Sequence, residues 1–276
     1  MIGFGIARAP ATILFGAGQR RALGRVARLT GGRALICTDA RFSATEDFSD
    51  IVMNLRDAGI ATLVYDGTQA ELPVENVHNC VALARGFRPD MVVGIGGGSC
   101  LDLAKLASLL LSYPGDLADY YGELKVPGPV LPVLALPTTS GTGSECTPVA
   151  VVGDSARALK VGVSSPHLVP HAAICDPELT LSCPPILTAI TGADAMTHAV
   201  EAFTNLARPS EPDLGIDRVF VGKNRISDTY ALAAIAELAG HLVVAVEQGE
   251  DLEARAGVML GAMYAGLAFG TAGTAA

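Results

Sequence analysis

Three short apolar runs, Ala34–Thr38 (ALICT), Ala61–Tyr65 (ATLVY) and Met91–Ile95 (MVVGI), are separated by stretches of helical periodicity. This alternation constrains the fold more than any other feature of the chain. Ser49–Ala58 and Val74–Gly86 read as the intervening helices, the second with Val77, Val81 and Ala84 at helical spacing. Leu101–Leu111 follows as an apolar helix, and Val130–Leu136 as a further strand, broken by Pro132 and closed by Pro137. A β-α-β-α-β order predicts a mostly parallel sheet covered by helices. After Pro184 the strand-like runs stop, and Ala-rich helical stretches take over at Ile186–Thr204, Asp228–Val246 and Leu252–Phe269. The expectation is an α/β domain over residues 1–182 and an all-helical domain over residues 183–276. The boundary falls at Ser182–Pro185, where two prolines interrupt the chain. Arg208–Ile226 is rich in proline, glycine and charge and reads as a long loop or strap.

Half of the residues are hydrophobic and 17% are charged, so the chain can bury a large core and is not of disordered composition. There is no tryptophan and aromatics make up 5%, which leaves the core to Ala, Val, Leu and Ile. A formal net charge of -9 argues against a nucleic-acid partner, since neutralising phosphates takes clustered Lys and Arg. No apolar run is read as reaching the roughly 18 residues that span a bilayer. Met1–Leu14 lacks the basic start and apolar stretch of a signal peptide. The expectation is a soluble cytoplasmic protein with no membrane partner. Cys37, Cys80, Cys100, Cys146, Cys175 and Cys183 show no CxxC spacing and sit among apolar neighbours, which predicts buried free thiols.

Four features carry chemistry. Gly94-Ile95-Gly96-Gly97-Gly98-Ser99, with Asp102 and Lys105 beyond, runs from a strand through a glycine turn into a helix. Such a junction lets backbone approach a ligand closely and offers unpaired N–H groups to a phosphate; its alternative is a tight turn with no ligand. Pro137–Glu145 (PTTSGTGSE) again follows a strand, where open α/β sheets bind ligands, though hydroxyl-rich loops are also common without one. Asp194 and His198 in GADAMTHAVEAF are four residues apart, so one helical face carries both, with Glu201 a turn further on. Among apolar neighbours they need a partner. An oxygen and a nitrogen ligand suit a divalent transition metal, and a simple Asp–His hydrogen bond or a solvent-facing pair are the alternatives. Asp39, just past the first strand, is either an acceptor for ribose hydroxyls or an ordinary turn residue.

Together, GGGSCLDLAK at Gly96–Lys105, PTTSGTGSE at Pro137–Glu145, AICDPELT at Ala173–Thr180 and GADAMTHAVEAF at Gly192–Phe203 resemble the motifs of the iron-containing (group III) alcohol dehydrogenases, in order and at suitable spacing. The resemblance implies an N-terminal parallel-sheet dinucleotide-binding domain followed by a helical domain, in a dehydroquinate synthase-like fold. It implies a homodimer and hydride transfer between NAD and a small-molecule alcohol or aldehyde. It places Gly97, Gly98, Ser99 and Asp102 at the pyrophosphate, and Thr138, Thr139, Thr147 and Lys160 along the rest of the cofactor site. Asp39 would favour NAD over NADP. Asp194 and His198 would be two ligands of a divalent metal, iron ahead of zinc, which acts as a Lewis acid on the substrate oxygen. No protein nucleophile is implied. In the family two later histidines complete the metal shell. Ala265–Phe269 resembles the segment leading to the first, and Ala276 is reached before either, so a C-terminally truncated chain with an incomplete helical domain is expected. Arg208–Ile226 resembles an insertion, and Gln69–Pro73 departs from the usual asparagine-proline turn, so no cofactor contact is carried over to Leu72. Maleylacetate reductases and glycerol dehydrogenases share the scaffold and are the alternatives, together with a nucleotide-binding module without turnover.

Overall fold

The computed structural model describes residues 4–274. Its strands are β1 (Thr12–Phe15), β2 (Arg33–Cys37), β3 (Ala61–Tyr65), β4 (Met91–Gly96), β5 (Gly122–Glu123), β6 (Val133–Pro137), β7 (Val149–Asp154), β8 (Leu159–Ser164) and β9 (Ala172–Cys175). Its α-helices are α1 (Leu23–Ala27), α2 (Ala40–Ser43), α3 (Glu46–Asp57), α4 (Val74–Arg85), α5 (Gly98–Ser112), α6 (Pro185–Thr204), α7 (Leu214–Asp217), α8 (Arg225–Glu247) and α9 (Leu252–Ala272).

Six strands form one sheet in the order β1-β9-β6-β4-β2-β3, and every neighbouring pair is parallel. The apolar runs explain this. A parallel strand covered on both faces has no polar side to present, and all six residues of β4 are buried. Side chains alternate between the faces. Leu35, Cys37 and Val92 pack with α4 and α5 through Val77, Val81, Leu103 and Leu106. Ala34, Ile36, Val93 and Ile95 pack with α1 and α3 through Leu23, Ile51 and Leu55. From β2 the chain steps outward to β3, then returns to β4 on the other side of β2. The winding therefore reverses between β2 and β4, and that reversal opens a crevice beyond their carboxyl ends.

The helices α6, α8 and α9 pack on one another as a separate layer. The most buried is α9, where every residue from Gly257 to Ala272 is buried except the half-buried Leu260 and Tyr264. Small residues allow this. A Cβ on Gly261 would lie 2.6 Å from Leu238 Cγ of α8, and one on Gly266 would lie 2.7 Å from Cys146 Sγ and 2.9 Å from the Gly143 Cα. Gly143 itself has φ +61°, a conformation that suits glycine. So α9 is wedged between α8 and the loop that follows β6, and it ties the helical layer to the sheet.

The strands and helices read from the alternation are present, most with ends displaced by a few residues. The helix α5 starts at Gly98 rather than Leu101, because Gly97 caps it and the glycine turn becomes its first turn. The strand β6 starts at Val133 rather than Val130, after Pro132, which has no N–H to give a ladder. Not expected from the sequence were the antiparallel pair β7–β8, which with β5 makes a second small sheet, the edge strand β1 and its inner neighbour β9. The strap Arg208–Ile226 is mostly irregular but contains α7, and α8 begins at Arg225. One reading is corrected. The helix α8 has 23 residues with a window of mean hydropathy 1.7, long and apolar enough by length and composition to cross a membrane. Its alanines score as apolar although no single run looks like a span, and one of its faces packs on α6 and α9. All six cysteines are buried and free, as expected.

The glycine seam gives a direct test. Helix propensity alone favours Gly266→Ala by about 1 kcal/mol. Overpacking against Cys146 and Gly143 reverses that sign, with a cost of about 1–3 kcal/mol. Urea denaturation is expected to show a lower midpoint at unchanged slope; a raised midpoint would mean that α9 does not sit against the loop.

Candidate functional site

A cavity of about 1200 Å³ lies beyond the carboxyl ends of β4 and β6, between the sheet and the helical layer. Gly98, Ser99 and Asp102 of α5 line one side, with Thr142, Ser144 and Thr147 from the loop after β6. Val151 and Lys160 come from the β7–β8 pair, and Thr191, Asp194 and His198 of α6 face them together with Phe269 of α9. Of the residues singled out in the sequence, Gly98, Ser99, Asp102, Thr147, Lys160, Asp194 and His198 share this one space. Asp39, Gly97, Thr138 and Thr139 are not part of its lining and sit at or just past the ends of the adjacent strands β2, β4 and β6.

At the winding reversal, Gly96 has φ +146° and a Cβ there would lie 2.5 Å from Cys100 Sγ and 3.6 Å from Asp39 Oδ2. Only glycine fits, and its absence of side chain keeps Asp39 close to the start of α5. The Oδ1 of Asp39 accepts from the amides of Arg41 and Phe42, both at 2.9 Å, and so caps α2. Its Oδ2 has only the weak thiol donor Cys100, at 3.7 Å. The turn-residue and ligand-acceptor readings of Asp39 are thus compatible: one oxygen is committed and the other is available. The amides of Gly98 and Ser99 open the first turn of a 15-residue helix and have no preceding carbonyl to pair with. Gly97 lies against Thr139, whose Oγ1 would be 3.3 Å from a Cβ there. Thr138 is buried, and its Oγ1 finds no hydrogen-bond partner among the described residues.

Asp102 lines the cavity and is also held by protein donors. Its carboxylate accepts from Ser144 Oγ at 2.5 Å and from the Val151 amide at 2.9 Å, so both oxygens are occupied by protein donors. Burial pushes its carboxyl above the usual range, while Lys105, Ser144 and Val151 oppose that rise. Lys160 forms an ion pair with Glu71, a residue held at φ 67° in the Gln69–Pro73 segment. Leu72 itself is buried in the core.

Asp194 and His198 share one face of α6 and the cavity, as their spacing requires. Their Oδ1 and Nε2 are 3.7 Å apart, too far for a hydrogen bond. The Nδ1 of His198 is buried without a partner among the described residues, and its ring lies 4.4 Å from that of Phe269. An imidazole and a carboxylate that do not satisfy each other fit a divalent metal in type and position. They are two donors; among the described residues no group of three or more His, Cys, Asp or Glu forms a metal cluster.

Glu71 and Phe269, which line the cavity, were not expected from the sequence, and Lys105 was noted beside the glycine turn without a role. For Lys105 there was a signal: with Asp102 it is one of only two charges inside LDLAKLASLLL, a segment otherwise almost wholly apolar.

The sequence profile described as "Iron-containing alcohol dehydrogenase" matches residues 10–177, and that described as "Fe-containing alcohol dehydrogenase family, C-terminal" matches residues 218–276. The chain is 40% identical over 253 residues to long-chain-alcohol dehydrogenase 1 of Geobacillus thermodenitrificans, covering 91% of this chain and 60% of that protein. It is 36% identical over 265 residues to the NAD-dependent methanol dehydrogenase of Bacillus methanolicus, covering 96% of this chain and 65% of that one. The crystal structure of a 1,3-propanediol oxidoreductase superposes with a TM-score of 0.89 at 31% identity, over 98% of this chain and 67% of that one. The chain thus spans about 60–65% of the length of these curated relatives.

Glu145, at the end of the hydroxyl loop, is buried beside Cys146 and Lys105. Burial raises its carboxyl from 4.5 to about 6, with its own amide and Lys105 opposing. Below pH 4.5 the group is protonated in folded and unfolded chains alike and costs nothing. As pH rises towards 6 the unfolded chain ionises first, and stability is lost. The loss is about 2 kcal/mol once ionisation is complete. Glu145→Gln is expected to be more stable than the parent above pH 6 and equal to it below pH 4.5, measured by urea denaturation across pH. A difference independent of pH would contradict the assignment.

Proposed function

The chain belongs to the iron-containing alcohol dehydrogenase family, and on that premise we propose that its cavity binds NAD and serves hydride transfer between the nicotinamide and a small alcohol or aldehyde. The observation that carries this reading is the shared cavity. The free amides at the start of α5 and the Asp194–His198 pair open onto one space at the winding reversal of a parallel sheet. The helix start is the place for the pyrophosphate: the unpaired amides and the positive end of the helix dipole both favour an anion. Asp39 Oδ2 stands where an adenosine ribose would offer hydroxyl donors, and its charge disfavours a 2′-phosphate, so NAD is read over NADP. The unpaired Thr138 hydroxyl and Thr139 extend the polar edge along β6. Asp102 acts as a brace that fixes Ser144 and β7, and Lys160 is held towards the cavity by Glu71.

Opposite, Asp194 and His198 would hold the metal, iron ahead of zinc, which when bound polarises the substrate oxygen and lowers its pKa. Phe269 stacks on His198 and keeps the imidazole in one orientation against the cavity. The apolar residues Leu187, Val149 and Phe269 limit water around the reacting carbon. A soluble homodimer in the cytoplasm accompanies this reading. A second reading, a dinucleotide-binding module without turnover, is favoured by one observation: Asp194 and His198 have no third ligand beside them among the described residues.

The test is NADH formation from a series of primary alcohols in the presence of ferrous or zinc ion, set beside NADH binding. Turnover that His198→Ala abolishes, with NADH affinity changed less than about twofold (under 0.5 kcal/mol), is the expected result. Binding without turnover of any alcohol or aldehyde supports the second reading, and absence of binding contradicts both.

A further inference from the structure

Lys105 lies halfway along α5 and is wholly buried. Its Nζ donates to Thr147 O at 2.9 Å, to Thr147 Oγ1 at 3.2 Å and to Val149 O at 2.8 Å. An ammonium has three N–H donors and no lone pair, so every donor is used. That arrangement decides what Thr147 can do. Its hydroxyl oxygen receives a hydrogen bond from Lys105, so its own O–H is left to donate. Among the described residues the one acceptor near it is Val149 O, at the 3.5 Å limit of a hydrogen bond, and that carbonyl already takes the far shorter bond from Lys105. Thr147 also lines the cavity.

We propose that Lys105 is a positioning residue that commits the Thr147 hydroxyl to donate a hydrogen bond into the cavity, to an acceptor oxygen of the bound dinucleotide. This rests on the NAD reading of the cavity. The geometry around it is rigid. One turn before Lys105, Asp102 holds Ser144 Oγ and the Val151 amide, so α5 grips the segment 144–151 on both sides of Thr147. Burial pulls the Lys105 ammonium down to about 8, with Asp102 opposing, so at neutral pH the group is still a cation and still cannot accept from Thr147. A threonine bound only to carbonyls would spend its proton on the protein; here a cation reverses its polarity towards the ligand.

A double-mutant cycle on NADH affinity, read by cofactor fluorescence, separates this role from packing. Thr147→Val is expected to weaken NADH binding by about tenfold, the scale of one lost hydrogen bond, and Thr147→Ser to restore it. Lys105→Gln is expected to weaken binding several-fold in the parent and to have no further effect in the Thr147→Val background. Circular dichroism shows whether each variant is folded; should Lys105→Gln not fold, Lys105→Met, which keeps the length and removes the donor, takes its place in the cycle. Unchanged affinity in Thr147→Val, or a lysine effect of equal size in both backgrounds, overturns the proposal while leaving the NAD reading intact. No NADH binding by the parent chain overturns both.

Discussion

The grip of α5 on the segment that follows the hydroxyl loop is the interaction on which the rest of the cavity depends. Burying an ammonium costs several kcal/mol unless it is fully hydrogen-bonded. Lys105 meets that condition with three oxygen acceptors, all supplied by Thr147 and Val149. The same helix begins at the glycine turn after β4, so the element that opens its first-turn amides onto the cavity also fixes the wall facing them. Asp102 repeats the grip one turn earlier. A helix clamped in this way cannot shift along its axis without breaking several buried polar contacts, and the cavity keeps its shape as a result.

The second half of the site depends on close backbone approach rather than charge. The helix α9 reaches the loop after β6 because Gly266 and Gly143 carry no side chains. On its other side Gly261 lets α8 come close. The helix α9 then delivers Phe269 against His198 of α6. The position of the Asp194–His198 pair relative to the α5 amides is thus set by a glycine seam, and both halves of the chemistry answer to the same loop, residues 141–147.

Much of this was legible in the sequence, for physical reasons that differ by element. The central strands declared themselves because a strand buried on both faces is a continuous apolar run, and the glycine cluster marked the carboxyl end of β4, onto which the cavity opens. Asp194 and His198 were visible because two polar residues at helical spacing stand out in an alanine-rich helix. The pair β7–β8 was missed, since its half-exposed strands carry a weaker apolar signal and Leu159–Ser164 includes a lysine and a glycine. Lys160 came from the resemblance rather than from the strand pattern. The role of Asp102 was not legible at all, because Ser144 and Val151, which occupy its oxygens, are more than forty residues away in sequence. Polar pairing of that kind is decided by tertiary structure. The length and apolar character of α8 were overlooked because alanine hides hydropathy that only a window average shows.

A crystal structure of the chain grown with NAD tests the central claim most directly. The expected result is a pyrophosphate on the amides of Gly98 and Ser99, an adenosine ribose within reach of Asp39, and a nicotinamide pointing across the cavity towards Asp194 and His198. A dinucleotide seated elsewhere, such as in the depression lined by Leu14, Arg25 and Arg28 on the far side of the sheet, or one whose phosphates avoid the start of α5, would contradict it.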